Sequence, residues 1–344
     1  MIQAPRGDSG VSHHLPVLLR LPDPDARYTA VRLRSDLPTH EFARDDGEWR
    51  LELEELPPVE RLEYQLEVEH DDGGTEYLLD PGNPHTAPGA FGKKSVLLLP
   101  TYRPPAWLDE PQAEGHVISL TTRGRGVGAS VDVDLWSPAD GDPREPLPLL
   151  VAHDGPEYDR LAGLTRFAAV KIAAGDLPRH RVALLAPGER DEWYSASPRY
   201  LRALTHRVLP AIARAAPTDG PPAAMGASLG ALALLHAQRR HPGTFRALFL
   251  QSGSFFTPRF DAHESGMPHY HRIVGFVSET HRVGYRSPVP TTLTCGAAEE
   301  NIHNNRLMAE TLQAPLHELT DTHNYTAWRD AFDPYLTRLL AEAW

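Results

Sequence analysis

The run Ala223-Ala224-Met225-Gly226-Ala227-Ser228-Leu229-Gly230-Ala231-Leu232-Ala233-Leu234-Leu235 constrains the fold more than any other stretch. Small apolar residues meet Gly-x-Ser-x-Gly and pass directly into a helix-forming sequence, so strand, tight turn and helix follow in that order. At the top of such a turn Ser228 sits in a strained backbone conformation, and glycines at 226 and 230 let strand and helix approach. The turn holds a hydroxyl at the C-terminal edge of a sheet, beside the N–H groups of a helix N-terminus. A five-residue match of small residues also arises by chance in loops. The strand before it and the Ala/Leu-rich helix after it favour the nucleophile.

The chain around this turn changes grammar once. Up to about residue 113 it reads as short apolar or alternating strands: Val17 to Leu21, Tyr28 to Leu33, Glu48 to Leu53 and Leu62 to Glu69. Asp71-Asp72-Gly73-Gly74, between Tyr64–Val68 and Thr75–Leu79, is a hairpin signal. Strands at this spacing suggest a small sandwich. Pro100 to Pro111, with four prolines, reads as a linker. From His116 strands alternate with helices, the pattern of an α/β fold with a mostly parallel sheet covered on both faces. Val131 to Trp136 reads as an early edge strand, Leu149–Ala152 as a central strand and Val182–Leu185 as a buried one, with Ala247–Gln251 and Thr291–Cys295 as further strands. Tyr158–Ala174, Tyr200–Ala215, Asn301–Gln313 and Trp328–Trp344 carry helical spacing, with a short strand at Leu316–Leu319. The expected domains are residues 1–113 and 114–344.

A serine needs a base within hydrogen-bond reach, and that base needs an orienting acid. In α/β-hydrolases the acid and then the histidine follow the serine. Thr291 to Asn301, with Glu299 and Glu300, offers the acid after a late strand; Asp321 to Trp328 offers His323 before the last helix. Acidic residues are also favoured at any helix N-terminus, which is the plainer account of the two glutamates. The order argument selects one of them, with Glu299 preferred. His323 stands out from the other 17 of the 18 histidines by its place alone. The oxyanion calls for the N–H of Leu229 and one from His153-Asp154-Gly155-Pro156-Glu157. Pro156 has no N–H, which leaves Gly155 or Glu157, and Gly155 is taken. His263, His269 and His271 have no recognised metal-ligand spacing and read as a loop on the substrate side.

Composition narrows the partners. A net charge of -12 argues against nucleic acid. No run approaches the ~18 apolar residues of a membrane helix, and Met1 to Gly10 lacks a signal pattern. With a single cysteine, Cys295, the expectation is a cytoplasmic protein.

Residues from about 114 onward resemble the esterase-D-like branch of α/β-hydrolases, and among them the enterochelin esterases that open iron-siderophore trilactones. The matching pieces are His153-Asp154-Gly155, Arg190-Asp191-Glu192-Trp193-Tyr194, Gly226 to Gly230, Gln251 to Phe256, Gly296 to Glu299, and His323 to Trp328. The resemblance implies Ser228 as nucleophile, His323 as base and Glu299, three residues beyond a glycine, as acid. It also implies an immunoglobulin-like β-sandwich ahead of the hydrolase domain. Within these motifs Asp154, Arg190, Glu192, Trp193 and Trp328 are the candidates for substrate binding. The expected activity is serine esterase chemistry on a small-molecule ester, with no cofactor or metal. A ligand-binding protein on a retired hydrolase scaffold and an acyltransferase to a sugar are the competing readings. Oligomeric state is not legible.

Overall fold

The computed structural model describes residues 16–90, 92–111, 115–123, 130–140 and 142–344. The N-terminal stretch read for a signal pattern and the expected boundary at 113/114 lie outside the described residues.

The N-terminal strands are β1 (Val17–Pro22), β2 (Tyr28–Ser35), β3 (His40–Glu41), β4 (Ala43–Asp45), β5 (Glu48–Leu53), β6 (Arg61–His70), β7 (Thr75–Leu78), β8 (Thr86–Gly89) and β9 (Gly92–Leu98). They form one sheet in the order β1-β5-β4 and another in the order β3-β2-β6-β9-β8, with β7 paired to β6. Alternate residues of β1, β2, β5 and β6 (Leu19, Val31, Leu51 and Leu66 among them) meet in one apolar core. The Asp71–Gly74 turn closes the β6–β7 hairpin as its sequence predicts. Gly73 takes φ +80°, and Asp72 Oδ1 accepts from the Gly74 N–H at 2.8 Å.

The remaining strands are β10 (Gly115–Arg123), β11 (Ser130–Pro138), β12 (Leu149–His153), β13 (Arg181–Leu185), β14 (Ala223–Ala227), β15 (Ala247–Gln251), β16 (Thr291–Gly296) and β17 (Leu316–Leu319). They make an eight-stranded sheet ordered β10-β11-β13-β12-β14-β15-β16-β17. The β10–β11 and β11–β13 pairs are antiparallel, and every later pair is parallel. Successive residues of a buried strand serve opposite faces. Leu149 and Val151 therefore join the core under the helix Leu229–Arg240, while Leu150 and Ala152 join the core under the helix Leu164–Ala173.

Three expectations need correction. The strand at Val131–Trp136 is not the edge, because β10 pairs along its whole length. The helix read over Tyr158–Ala174 is two helices, Gly155–Ala162 and Leu164–Ala173, divided at Gly163, whose φ of +65° no interior helical residue adopts. The proline-rich stretch is not a free linker. Trp107 is buried there, edge-on to Phe167 at 5.4 Å and stacked with Phe332 at 6.3 Å.

The N-terminal strands reach the α/β sheet through Arg61, which is 2% exposed. Its guanidinium donates to Asp321 Oδ2 and Asn324 Oδ1, both at 2.9 Å, and to Glu63 Oε1 at 2.6 Å. The Glu60 N–H adds a bond to the Thr320 carbonyl at 2.8 Å. Burial pushes the Asp321 carboxyl up to about 6 against the pull of Arg61. Removing one partner of such a pair leaves the others charged and desolvated. The variant Arg61→Met should thus lose about 3–5 kcal/mol of unfolding free energy by denaturant titration, and a loss below about 1 kcal/mol would refute this account.

Candidate active site

β14 delivers its last residues into a turn whose geometry follows from two glycines. A β-carbon on Gly226 would lie 2.9 Å from the Gly230 carbonyl carbon, and one on Gly230 would lie 3.3 Å from His153 Cβ. Strand and helix cross at that distance only without side chains. Ser228, between them, takes φ +56° and ψ −125°, outside the regions open to ordinary residues. Its N–H donates to the Gln251 carbonyl at 2.9 Å, and its carbonyl accepts from the Ser254 N–H at 3.1 Å. Leu229 begins the helix Leu229–Arg240, so its N–H has no intrahelical acceptor.

The acid and the base come from the next strands. β16 ends at Gly296, where a β-carbon would meet the Asp321 carbonyl at 2.4 Å and Glu299 Oε1 at 2.8 Å. Without that atom Glu299 folds back, and its Oε1 accepts from the Gly296 N–H and from Ser252 Oγ, both at 2.7 Å. Its Oε2 lies 2.7 Å from His323 Nδ1. Burial opposes charge on His323, but the Glu299 hydrogen bond and charge outweigh it and hold the imidazole above its ordinary value of 6.5. Trp328 stands edge-on to the His323 ring at 5.0 Å and donates Nε1–H to Ser252 Oγ at 2.9 Å. Glu300, in contrast, is exposed and pairs with His263 at 3.3 Å.

Ser228, Leu229, Glu299, His323, Ser254 and Arg190 border one cleft of about 920 Å³. The loop Ser35 to Thr39, from the N-terminal strands, borders it too. The Ser228 hydroxyl pairs with Ser254 Oγ at 3.0 Å, and a bond to His323 is not among those formed by the described residues. Either hydroxyl can donate in that pair, and with Ser254 as the donor the Ser228 proton stays available to His323.

The other candidates fall outside the cleft lining. Gly155 is set by sterics, since a β-carbon there would lie 2.3 Å from Leu184 Cα. Asp154 is buried and bound by both Nε and Nη2 of Arg190 at 2.9–3.1 Å. Glu192 accepts from Arg272 at 3.1 Å and lies 3.0 Å from His269, tying its helix to the helix Tyr270–Arg282. Trp193 is fully buried with its ring stacked on Tyr200 at 5.4 Å, which leaves it no surface to offer a substrate. His263 joins Glu264 and Glu300, both on the cleft border, in a group whose potential ligand atoms lie within 4.8 Å of one another. Burial pushes the His153 imidazole down to about 4. In the sequence Ser252 and Ser254 have no evident task and Asp36 is not singled out. The first two had a local signal in Gln251-Ser252-Gly253-Ser254; Asp36 had none.

Comparison with known proteins agrees with this architecture. The ferric enterobactin esterase of Salmonella typhimurium superposes with a TM-score of 0.77 at 18% identity, covering 95% of this chain and 94% of its own. An enterobactin esterase of Shigella flexneri gives 0.75 at 19% identity, with 95% and 93% covered. A ferulic acid esterase gives 0.57 at 15% identity, covering 67% of this chain and 98% of its own. At such identities the likeness is one of fold. Against curated protein sequences the chain has no significant match. A family model described as "Putative esterase" matches residues 126–339, a span that runs from the sheet's second strand into the last helix and takes in the serine turn, the acid and the histidine. The chain belongs to that esterase family, a family of carboxylic ester hydrolases.

Proposed function

We propose that this esterase works through an acyl-enzyme on Ser228. The single observation that carries the reading is the buried Glu299 carboxylate on His323 Nδ1, 2.7 Å away, in a cleft that also holds Ser228 at φ +56°. Glu299 keeps the Nδ1 proton in place, so Nε2 is free to take the serine proton as the hydroxyl attacks the ester carbonyl. The imidazolium then protonates the leaving alcohol, and water repeats the cycle on the acyl-enzyme. The N–H groups of Leu229 and Gly155 are assigned to the oxyanion. Each opens a helix at the C-terminal end of one of two adjacent strands, β14 and β12, and neither has an intrahelical acceptor. The chemistry calls for no cofactor.

The substrate is assigned as a small-molecule carboxylic ester. A siderophore lactone is one member of that class, suggested by what the superposed enterobactin esterases act on. The division into an immunoglobulin-like sandwich over residues 1–113 and a hydrolase domain over 114–344 is part of the same proposal, supported by the two sheets around one N-terminal core. A cytoplasmic setting fits the lone, buried Cys295. Among the described residues no helix is long and apolar enough to cross a membrane.

The competing view, a ligand-binding protein, draws on the Ser228–Ser254 hydrogen bond. Fluorophosphonate labelling across pH separates the two. Because His323 must be neutral to activate Ser228 and its pKa is raised, labelling should fall as the pH drops through a midpoint above 6.5. Labelling absent from Ser228, or independent of pH between 5 and 9, would contradict the proposal.

A further inference from the structure

A second cavity, of about 630 Å³, lies among three helices and shares no bordering residue with the cleft of Ser228. Each helix turns residues spaced by four toward it, as helical periodicity places them on one face. The helix Leu229–Arg240 contributes His236 and Arg240, and the helix Tyr270–Arg282 contributes His271, Gly275 and Glu279. Arg202 and His206 come from the helix Pro198–Ala203 and its continuation Leu204–Val208.

The cavity is cationic in a chain of net charge -12. Arg202, Arg240 and Arg272 border it against one carboxylate, Glu279. Glu279 already serves two arginines, Arg239 at 3.2 Å and Arg240 at 3.0 Å. Arg272 is held by Glu192, and Arg202 has no ion pair among the described residues. Cations in the last turn suit a helix dipole, which by itself accounts for Arg239 and Arg240. Two further features have no such account.

The first is His236, 5% exposed and edge-on to Phe276 at 5.0 Å. Neither ring nitrogen takes part in a hydrogen bond among the described residues. Both nonetheless keep accessible surface, unlike Nε2 of His180 and of His281, which are sealed without a partner. A polar group buried to this degree ordinarily has a partner. Burial and the nearby charges of Arg240, Arg272, Arg239 and His241 push the imidazole down to about 4. The field there is positive, and a neutral imidazole still donates one N–H. The second feature is Gly275. A β-carbon on Gly226 or Gly230 would crowd the chain, but one on Gly275 meets nothing within 4 Å. Glycine weakens a helix interior, and no close approach within the chain explains this one.

We propose that this cavity is a second binding site, which takes an organic anion. Its oxyanion head, a carboxylate or phosphate, sits among His236, Arg202 and Arg240, and its apolar body runs along Leu201, Phe276 and the bare backbone of Gly275. The guanidinium and imidazole N–H groups find in the anion the acceptor that the chain withholds. A cavity of this size admits a body of several carbons. The site stands whether or not Ser228 forms an acyl-enzyme, because it takes no part in that chemistry.

The test is isothermal titration calorimetry of the full-length protein with hexyl phosphate, hexanoate, hexanol and hexylammonium. At least one of the two anions should bind once per chain with Kd below about 1 mM, and the tighter of them identifies the head group. Hexanol and hexylammonium should bind at least about tenfold more weakly, and about 0.5 M NaCl should weaken the anion several-fold. Arg202→Ala should raise the anion Kd about tenfold. Gly275→Leu, whose side chain occupies the open space, should raise it at least as much with the melting temperature retained. Arg202 is exposed, so its variant stays informative even if leucine perturbs the helix. No anion binding by about 10 mM, hexanol or hexylammonium binding as well as the anions, or an anion Kd unchanged in Arg202→Ala or in folded Gly275→Leu overturns the proposal.

Discussion

Replacing Ser228 by alanine should lower turnover of a p-nitrophenyl ester by at least about 10⁴-fold while leaving the unfolding transition within a few degrees of wild type. The two halves of that expectation have separate causes. On the proposed mechanism, loss of the hydroxyl removes the atom that forms the acyl bond and leaves only the proposed oxyanion donors and binding. Alanine keeps the β-carbon, so the backbone at φ +56° is no more and no less strained, and the residue's two backbone hydrogen bonds to Gln251 and Ser254 persist. Turnover within tenfold of wild type would show that ester hydrolysis here does not pass through Ser228.

Exchanging the carboxylate behind the histidine should do nearly as much. In Glu299→Gln the amide oxygen can keep the bonds from the Gly296 N–H and Ser252 Oγ, which directs its NH₂ toward His323 Nδ1. That donor makes Nδ1 the acceptor and puts the proton on Nε2, the tautomer that cannot take a proton from serine. A fall in kcat of about 10⁴-fold is expected, as for the equivalent change in serine proteases. Glu300→Gln should cost under about tenfold on a neutral ester, since Glu300 is exposed and points to His263. A larger loss in the second variant would reverse the assignment. The same pair ties stability to pH. With the folded pKa of His323 raised, the stabilisation it brings is complete below pH 6.5 and fades as pH rises through the folded value. The neutral form, which the proposed mechanism requires, is the less stable one.

Legibility in the sequence tracked the distance between interacting residues. Gly226, Ser228 and Gly230 act within one turn, and Gly296 and Glu299 are three residues apart, so each could be read from its own segment. Order along the chain singles out His323, because the sheet brings β14, β16 and the loop after β17 to one edge. The residues that touch the site from afar were silent. Asp36 stands in a loop of an otherwise unremarked β region, and nothing local marks it as a wall of the cleft. Trp193 shows the opposite error: its motif neighbours Arg190 and Tyr194 do lie near the site, but α-helical spacing turns the tryptophan inward against Tyr200.

The bond from Arg61 to Asp321 spans 260 residues. During synthesis the arginine leaves the ribosome long before the aspartate exists, and the N-terminal strands have time to fold around it. Ser228 follows, already in a turn of local design, yet on the proposed mechanism the nascent chain lacks its base until the final segment arrives and docks on a strand made at the outset. Under that mechanism reactive chemistry is withheld until the polypeptide is nearly whole. A chain released early, anywhere before His323, would carry the proposed nucleophile disarmed.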